Sequence, residues 1–291
     1  MTDVFIIGKG PAGISAALYT ARAGLSTVVT GMSSGSLGKA EKIENYYGFA
    51  EPVSGQELFE SGIRGAERLG VTVLDEEVFS VSWDGNFQIV TDRGQHEAEA
   101  LIIAAGSVRK APDIPGLKKF EGAGVSYCAV CDAFFHRGND VVVIGNGAYA
   151  VSEAEHLAGV VKSVTILTNG REMEAEVPSN IAVKKEKIAE LWGDQLVSEV
   201  RFEDGTAMSV SGVFVAEGTA GSTDLGRKLG AVDADGKWII AEDGSTPVPG
   251  LFAAGDCTGG LLQVSKAVSD GAEAGTAAIR YLRQKKRAER E

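Results

Sequence analysis

A chain of 291 residues has room for one large domain or two of ordinary size, at ~100–200 residues each. Its 44% hydrophobic and 23% charged residues exclude a disordered or fibrous protein. The formal charge of −12 argues against nucleic acid as a partner, and no apolar run reaches the ~18 residues of a membrane-spanning helix.

Read in chain order, the first element is a buried strand over residues 4–7. The turn Gly8-Lys9-Gly10-Pro11-Ala12-Gly13 follows, then a helix over 14–23 and a second strand over 26–29. No basic region precedes the first glycine, so no secretory signal is expected and the cytoplasm is the expected compartment. Pro112-Asp113-Ile114-Pro115-Gly116 supplies the proline and glycine of a domain crossing. Beyond it lie Cys128 and Cys131, two of only three cysteines, spaced as Cys-x-x-Cys. A second copy of the first unit then appears: a strand over 141–144, the turn Gly145-Asn146-Gly147-Ala148-Tyr149-Ala150, a helix over 151–159 and a strand over 163–167.

In each copy, glycine makes the turn and lets backbone approach a pyrophosphate, while the helix N-terminus turns free N–H groups toward the phosphates. Two copies predict an α/β protein with two Rossmann-like, doubly wound domains. An apolar strand ending in Gly255-Asp256, after the turn Glu242-Asp243-Gly244, makes the first domain discontinuous. The expected division is 1–113 with 241–291 for the first domain and 114–240 for the second. A last helix is predicted over 263–282.

The residues already quoted, with Thr30-Gly31-Met32, Glu44-Asn45-Tyr46-Tyr47-Gly48, Ala104-Ala105-Gly106, Ser126-Tyr127-Cys128-Ala129-Val130-Cys131-Asp132, Ala253-Ala254-Gly255-Asp256 and Gln263-Val264, resemble low-molecular-weight thioredoxin reductases over nearly the whole chain. The resemblance implies an FAD domain, an inserted smaller domain carrying the dithiol, and a homodimer. It implies that Cys128 attacks a protein disulfide, that Cys131 exchanges electrons with the flavin, and that Asp132 serves both thiols as proton donor and acceptor. FAD would be held by Gly8, Gly10, Pro11, Ala12, Gly13, Thr30, Gly31, Asn45, Ala105, Gly106, Gly255, Asp256, Gln263 and Val264. The smaller domain would rotate about hinges near Pro115 and Gly244.

The residues themselves support thiol chemistry, since a Cys-x-x-Cys near a helix start lowers one thiol pKa and lets its neighbour resolve a mixed disulfide. The alternative, half a zinc site, lacks a second ligand pair: Cys257, His96, His136 and His156 are scattered, and no metal is expected. Cys257 reads as a small buried filler and His136 as a packing residue. Tyr46 and Tyr47 are candidates to flank the flavin. The three tryptophans read as anchors of core or loops. At position 262 the family usually has Arg and this chain has Leu.

The second nucleotide site breaks the resemblance. Where the family has His-Arg-Arg and a further Arg for the 2′-phosphate of NADPH, this chain has Thr168-Asn169-Gly170, and Glu174 stands in place of the last cation. Arg171 remains, with Glu172, Glu174 and Glu176 as competitors for it. NAD(P)H is therefore a doubtful cofactor. The readings are a switch to NADH, weak NADPH binding, loss of the nucleotide with ferredoxin as donor, or a dithiol oxidase passing electrons through FAD to oxygen. The ferredoxin-using branch is the favoured one. Its only basic surface is the run Arg280, Arg283, Lys285, Lys286, Arg287 and Arg290, which also reads as a solvated helix end. A redox-sensing flavoprotein scaffold is the non-enzyme alternative. The expectation is an FAD-dependent disulfide oxidoreductase that reduces thioredoxin or a similar protein.

Overall fold

The computed structural model describes residues 1–106, 112–127, 129–217, 221–233 and 236–289, the side chains of Val130 and Cys131 excepted. The chain divides into two compact units, Met1–Val108 with Gly221–Glu291, and Arg109–Ala220. Both are mixed α/β with parallel sheets, as two Rossmann-like folds require.

In the first unit, β1 (Thr2–Ile7) is followed by α1 (Pro11–Arg22), β2 (Thr27–Thr30), α2 (Gly55–Arg68) and β3 (Thr72–Leu74). Then come β4 (Val78–Trp83), β5 (Phe87–Thr91) and β6 (Gly94–Ile103). The sheet runs β3-β2-β1-β6-β5-β4. β1 is parallel to β2 and β6, and β4 and β5 add an antiparallel extension. The helix predicted to begin at Ile14 begins at Pro11, because proline at the first helical position brings a fixed φ and lacks only an N–H that has no helical acceptor. Ser54 caps α2 by accepting the Glu57 amide at 3.1 Å.

In the second unit, β7 (Val125–Ser126), α3 (Ala129–Asp132), β8 (Asp140–Ile144), α4 (Ala148–Ala158), β9 (Ser163–Leu167) and β10 (Ala182–Lys184) precede three antiparallel strands. These are β11 (Ile188–Gly193), β12 (Val197–Phe202) and β13 (Ala207–Ser209), and β14 (Gly212–Val215) closes the unit. The parallel sheet runs β10-β9-β8-β14-β7, and β11-β12-β13 form a separate ribbon. Ile144, Leu167 and Val213 of the sheet share one core with Leu191, Val200 and Phe202 of the ribbon.

The chain re-enters the first unit about twenty residues before the crossing expected at 241. The cause lies in α5 (Ser222–Lys228), which packs with β4, while Ser222 Oγ donates to Gly106 O at 3.3 Å. β15 (Leu251–Ala253) then joins β6 in parallel, and α6 (Val264–Ala288) lies along α1. A Cβ on Gly271 would stand 2.0 Å from Ala12 O, and one on Gly275 2.9 Å from Ala16 O. The two helices therefore meet at backbone distance, which places the starts of both at one end of the sheet. Among the described residues no helix is long and apolar enough to cross a membrane.

Candidate functional site

The first Gly-rich turn has the form of a phosphate cradle. Gly8 has φ +111°, and a Cβ there would lie 2.1 Å from Ala104 O; one on Gly13 would lie 1.7 Å from Gly8 O. Turn, helix and the end of β6 are thus pressed together where only glycine fits. Gly10, by contrast, would meet nothing within 4 Å. It is the N-cap of α1 and has no side-chain cap, so the first amides of the helix are left for a ligand. Pro11 and Ala12 form the first helical residues. Ala105 is exposed and Gly106, at φ +77°, follows it off β6 beside the turn.

Two contacts bring distant candidates together. Asn45 Nδ2 donates to Gln263 Oε1 at 2.9 Å, joining the 44–50 loop to the residue that precedes α6. Gly255, at φ +83°, would place a Cβ 2.8 Å from that of Ala12, so the strand end carrying Asp256 abuts the start of α1. Burial pushes the Asp256 carboxyl above its ordinary value, against the pull of Lys266. Val264, Tyr46, Pro11 and Ile14 line a cavity of about 250 Å³ at the same end. Its apolar walls beside a glycine cradle fit a ring system carried on a pyrophosphate, as FAD has.

Other candidates behave differently from the reading. Thr30 is buried and its hydroxyl donates to Glu76 O at 2.9 Å, so it shapes the sheet end rather than facing a ribose. Gly31 leaves room for the stem of Lys9, 3.2 Å from its would-be Cβ. The Lys9 ammonium pairs with Asp75, a pair missed although a cation between two cradle glycines was visible in the sequence. Asp270 was also missed: it accepts the Gly255 amide at 2.9 Å and pairs with Lys266 at 2.6 Å, which fixes the Gly255 turn. Tyr47 is 98% exposed. Trp83 and Trp192 are half exposed, and of the three only Trp238 lies in a core, against Gly226. Cys257, expected as a buried filler, is half-buried as a residue, and burial of its thiol pushes it up to about 12.

The dithiol segment belongs to the second unit. Cys128 lies outside the described residues, and Cys131 stands in α3 next to Asp132. Ser126 Oγ donates to Asp132 Oδ2 at 2.6 Å, which holds the carboxyl at the end of α3. The Ala129 amide donates to Glu153 Oε2 at 2.8 Å. His136 fills the space that Gly212 leaves, meets Phe214 edge-on at 5.5 Å, and sets Nδ1 3.2 Å from Ser211 Oγ. Burial holds its imidazole below the ordinary value, partly offset by the Asp132 charge.

The second Gly-rich turn keeps its glycines, and the side chain between them is engaged by the 172–174 segment. A Cβ on Gly145 would lie 2.2 Å from Ala216 O, while Gly147 would meet nothing within 4 Å, the same division of labour as in the first turn. Asn146 Nδ2, however, donates to Glu172 O at 3.0 Å and to Glu174 Oε1 at 3.1 Å, and the Glu174 amide donates back to Asn146 O at 2.8 Å. Of the nearby cations, Arg171 pairs with Glu217, not with the neighbouring acids expected to compete for it, and Lys185 pairs with Glu172, while Lys187 lays its stem against Gly170 and is exposed. At the C-terminus Arg280 pairs with Asp243, Lys285 with Glu99 and Lys286 with Asp3, so half of the predicted basic run is neutralised.

Comparison with known proteins agrees with this geometry. The sequence pattern of the family described as pyridine nucleotide-disulphide oxidoreductase matches residues 2–271. Thioredoxin reductase of Listeria innocua serovar 6a is 34% identical, over 98% of this chain and 95% of that protein. The atypical thioredoxin reductase TRi from Desulfovibrio vulgaris Hildenborough superposes with a TM-score of 0.91 at 41% identity, covering 98% of this chain and 99% of that one. A ferredoxin-flavin thioredoxin reductase from Clostridium acetobutylicum gives 0.71 at 31% identity, with 97% and 98% covered.

Proposed function

Since the chain belongs to the thioredoxin reductase family of pyridine nucleotide-disulphide oxidoreductases, we propose that this FAD-dependent disulfide oxidoreductase reduces thioredoxin or a similar dithiol protein, with ferredoxin rather than NADPH as donor. The working form proposed is a homodimer, as the family resemblance implies, with the cytoplasm as the expected compartment.

The observation that carries the choice of donor is the acidic edge of the second turn. A pyridine nucleotide needs the Gly145–Gly147 amides for its pyrophosphate and, for NADPH, cations for its 2′-phosphate. Here Glu174 and the backbone of Glu172 occupy the polar edge of that turn through Asn146, and Arg171 and Lys185 are held by acids. An anionic ligand at the turn would meet the Glu174 carboxylate beside it, with Arg171 and Lys185 already engaged by acids. The likeness to a ferredoxin-flavin thioredoxin reductase supports the same reading.

Bound FAD would supply one- and two-electron redox chemistry between the donor and the Cys128–Cys131 disulfide. The residues of this chain supply the rest. Gly8 to Gly13, Ala105, Gly106 and the Gly255-Asp256 turn would hold the cofactor, with Asn45, Gln263 and Val264 at the same end. Asp132, held by Ser126, gives a proton to one sulfur as the disulfide opens. The Cys128 thiolate then attacks the substrate disulfide and releases one substrate thiol. Attack by Cys131 on the mixed disulfide releases the second and closes the Cys128–Cys131 bond, so one dithiol is oxidised for each disulfide reduced. Phe134 and Phe135, 71% and 76% exposed just after α3, offer the substrate protein an apolar landing beside the dithiol.

Equilibrium dialysis of the yellow holoprotein against NADPH and NADH tests the donor assignment. Neither nucleotide should be retained at about 0.1 mM, a concentration that fills an ordinary reductase site. Retention of either one contradicts the assignment.

A further inference from the structure

α4 starts at the second Gly-rich turn, and Glu153 lies about one and a half turns into it. Residues Ala150, Ala154 and Leu157 of this helix are buried in the core of the second unit, and Glu153 shares their face at 2% exposure. A carboxyl in that position is a costly side chain to bury unless it performs a task there. Its Oε2 accepts the Ala129 amide at 2.8 Å. Ala129 is itself fully buried, so water cannot replace that acceptor. It is also the first residue of the four-residue helix that carries Cys131 and Asp132, and it stands between the two cysteines. So short a helix leaves its first amides without helical acceptors and cannot hold its own start.

We propose that Glu153 is the positioning residue of the dithiol: as a buried acceptor for the Ala129 amide, it fixes the backbone between Cys128 and Cys131 to α4. The helix that in a nucleotide-binding unit serves the pyrophosphate here serves the redox pair. The second Gly-rich unit thereby keeps a role that needs no nucleotide. This inference rests on the assignment of Cys128 and Cys131 as the redox pair.

The test uses the full-length holoprotein as wild type, E153A and E153Q, since the Gln side-chain oxygen can accept the same amide. Each is photoreduced and mixed with oxidised thioredoxin, and the dithiol is separately equilibrated against dithiothreitol redox buffers. For E153A the single-turnover rate should fall about tenfold or more and the dithiol equilibrium should move by a similar factor, with flavin content unchanged. E153Q should recover both to within about threefold, a rescue that general loss of stability would not show. Hydrogen exchange at the Ala129 amide should quicken in E153A and stay slow in E153Q. Wild-type exchange and equilibrium in E153A would overturn the inference, as would an E153Q as impaired as E153A. If E153A does not fold, E153D, which withdraws the carboxyl by one methylene, is read by the same measures. C128S and C131S separate the two levels: turnover in either would sink the dithiol assignment, whereas the Ala129 exchange comparison reports on Glu153 alone.

Discussion

Cys257 shows how two thiols of similar type are given opposite duties by their surroundings. Its sulfhydryl donates to Ala254 O at 3.2 Å and burial pushes it up to about 12, so the reactive thiolate is absent near neutrality. Iodoacetamide on the reduced native protein at pH 8 should therefore label Cys128 and Cys131 and leave Cys257 untouched until the chain is unfolded, as peptide mapping will show. The same shift has a stability consequence of definite sign. The unfolded thiol ionises near its ordinary 9.0 and the folded one near 12. The contribution is thus complete below pH 9 and is lost progressively as pH rises toward 12. C257A should flatten that alkaline loss in denaturant melts; an unchanged slope would show that another group causes it.

At the scale of elements, the packing of α1 on α6 through glycine and alanine sets the geometry of the cofactor end. A side chain at Gly271 would overlap the Ala12 carbonyl, since even a Cβ comes within 2.0 Å. G271V should therefore push α6 off α1, lower the stability by about 2–4 kcal/mol, and reduce FAD retention after gel filtration. Wild-type melting and flavin content would show that the two helices adjust without cost.

This level of structure was largely legible. Two glycine turns after apolar strands, each closing on a parallel strand, specify both βαβ units, and a Gly-Asp ending on a late strand signals a discontinuous first domain but not its re-entry at Gly221. What the pattern could not show were contacts that join remote segments. The Asn45–Gln263 bond, the Asp270 grip on Gly255 and the Lys9–Asp75 pair depend on how loops fold over the strand ends, which periodicity does not encode. Glu153 lies between these cases. Ala150, Glu153, Ala154 and Leu157 have helical spacing, and an acid in that apolar row was a visible anomaly whose partner only the fold reveals.

For the whole molecule, charge bears on how electrons arrive. The chain carries −12, and Arg280, Lys285 and Lys286 are paired with acids, which leaves little positive field to steer an acidic donor. On the proposed reading, an acidic donor would dock by local contact more than by long-range attraction. Apolar side chains suited to this stand on the two loops that the Asn45–Gln263 bond joins: Tyr47 is 98% exposed, Leu261 65% and Leu262 56%. Leucine at 262, where the resembled family has arginine, removes a further cation from that rim.

The account as a whole turns on where electrons enter. The direct measurement is an anaerobic titration of the holoprotein, following the visible flavin band through additions of NADPH, then NADH, then chemically reduced ferredoxin, with thioredoxin disulfide present and its thiols counted. The account predicts an unchanged band with both nucleotides, followed by bleaching and the appearance of two thioredoxin thiols per electron pair once ferredoxin is added. Stoichiometric bleaching by NADPH would contradict it, for it would show that Glu174 and the paired cations yield to a nucleotide after all.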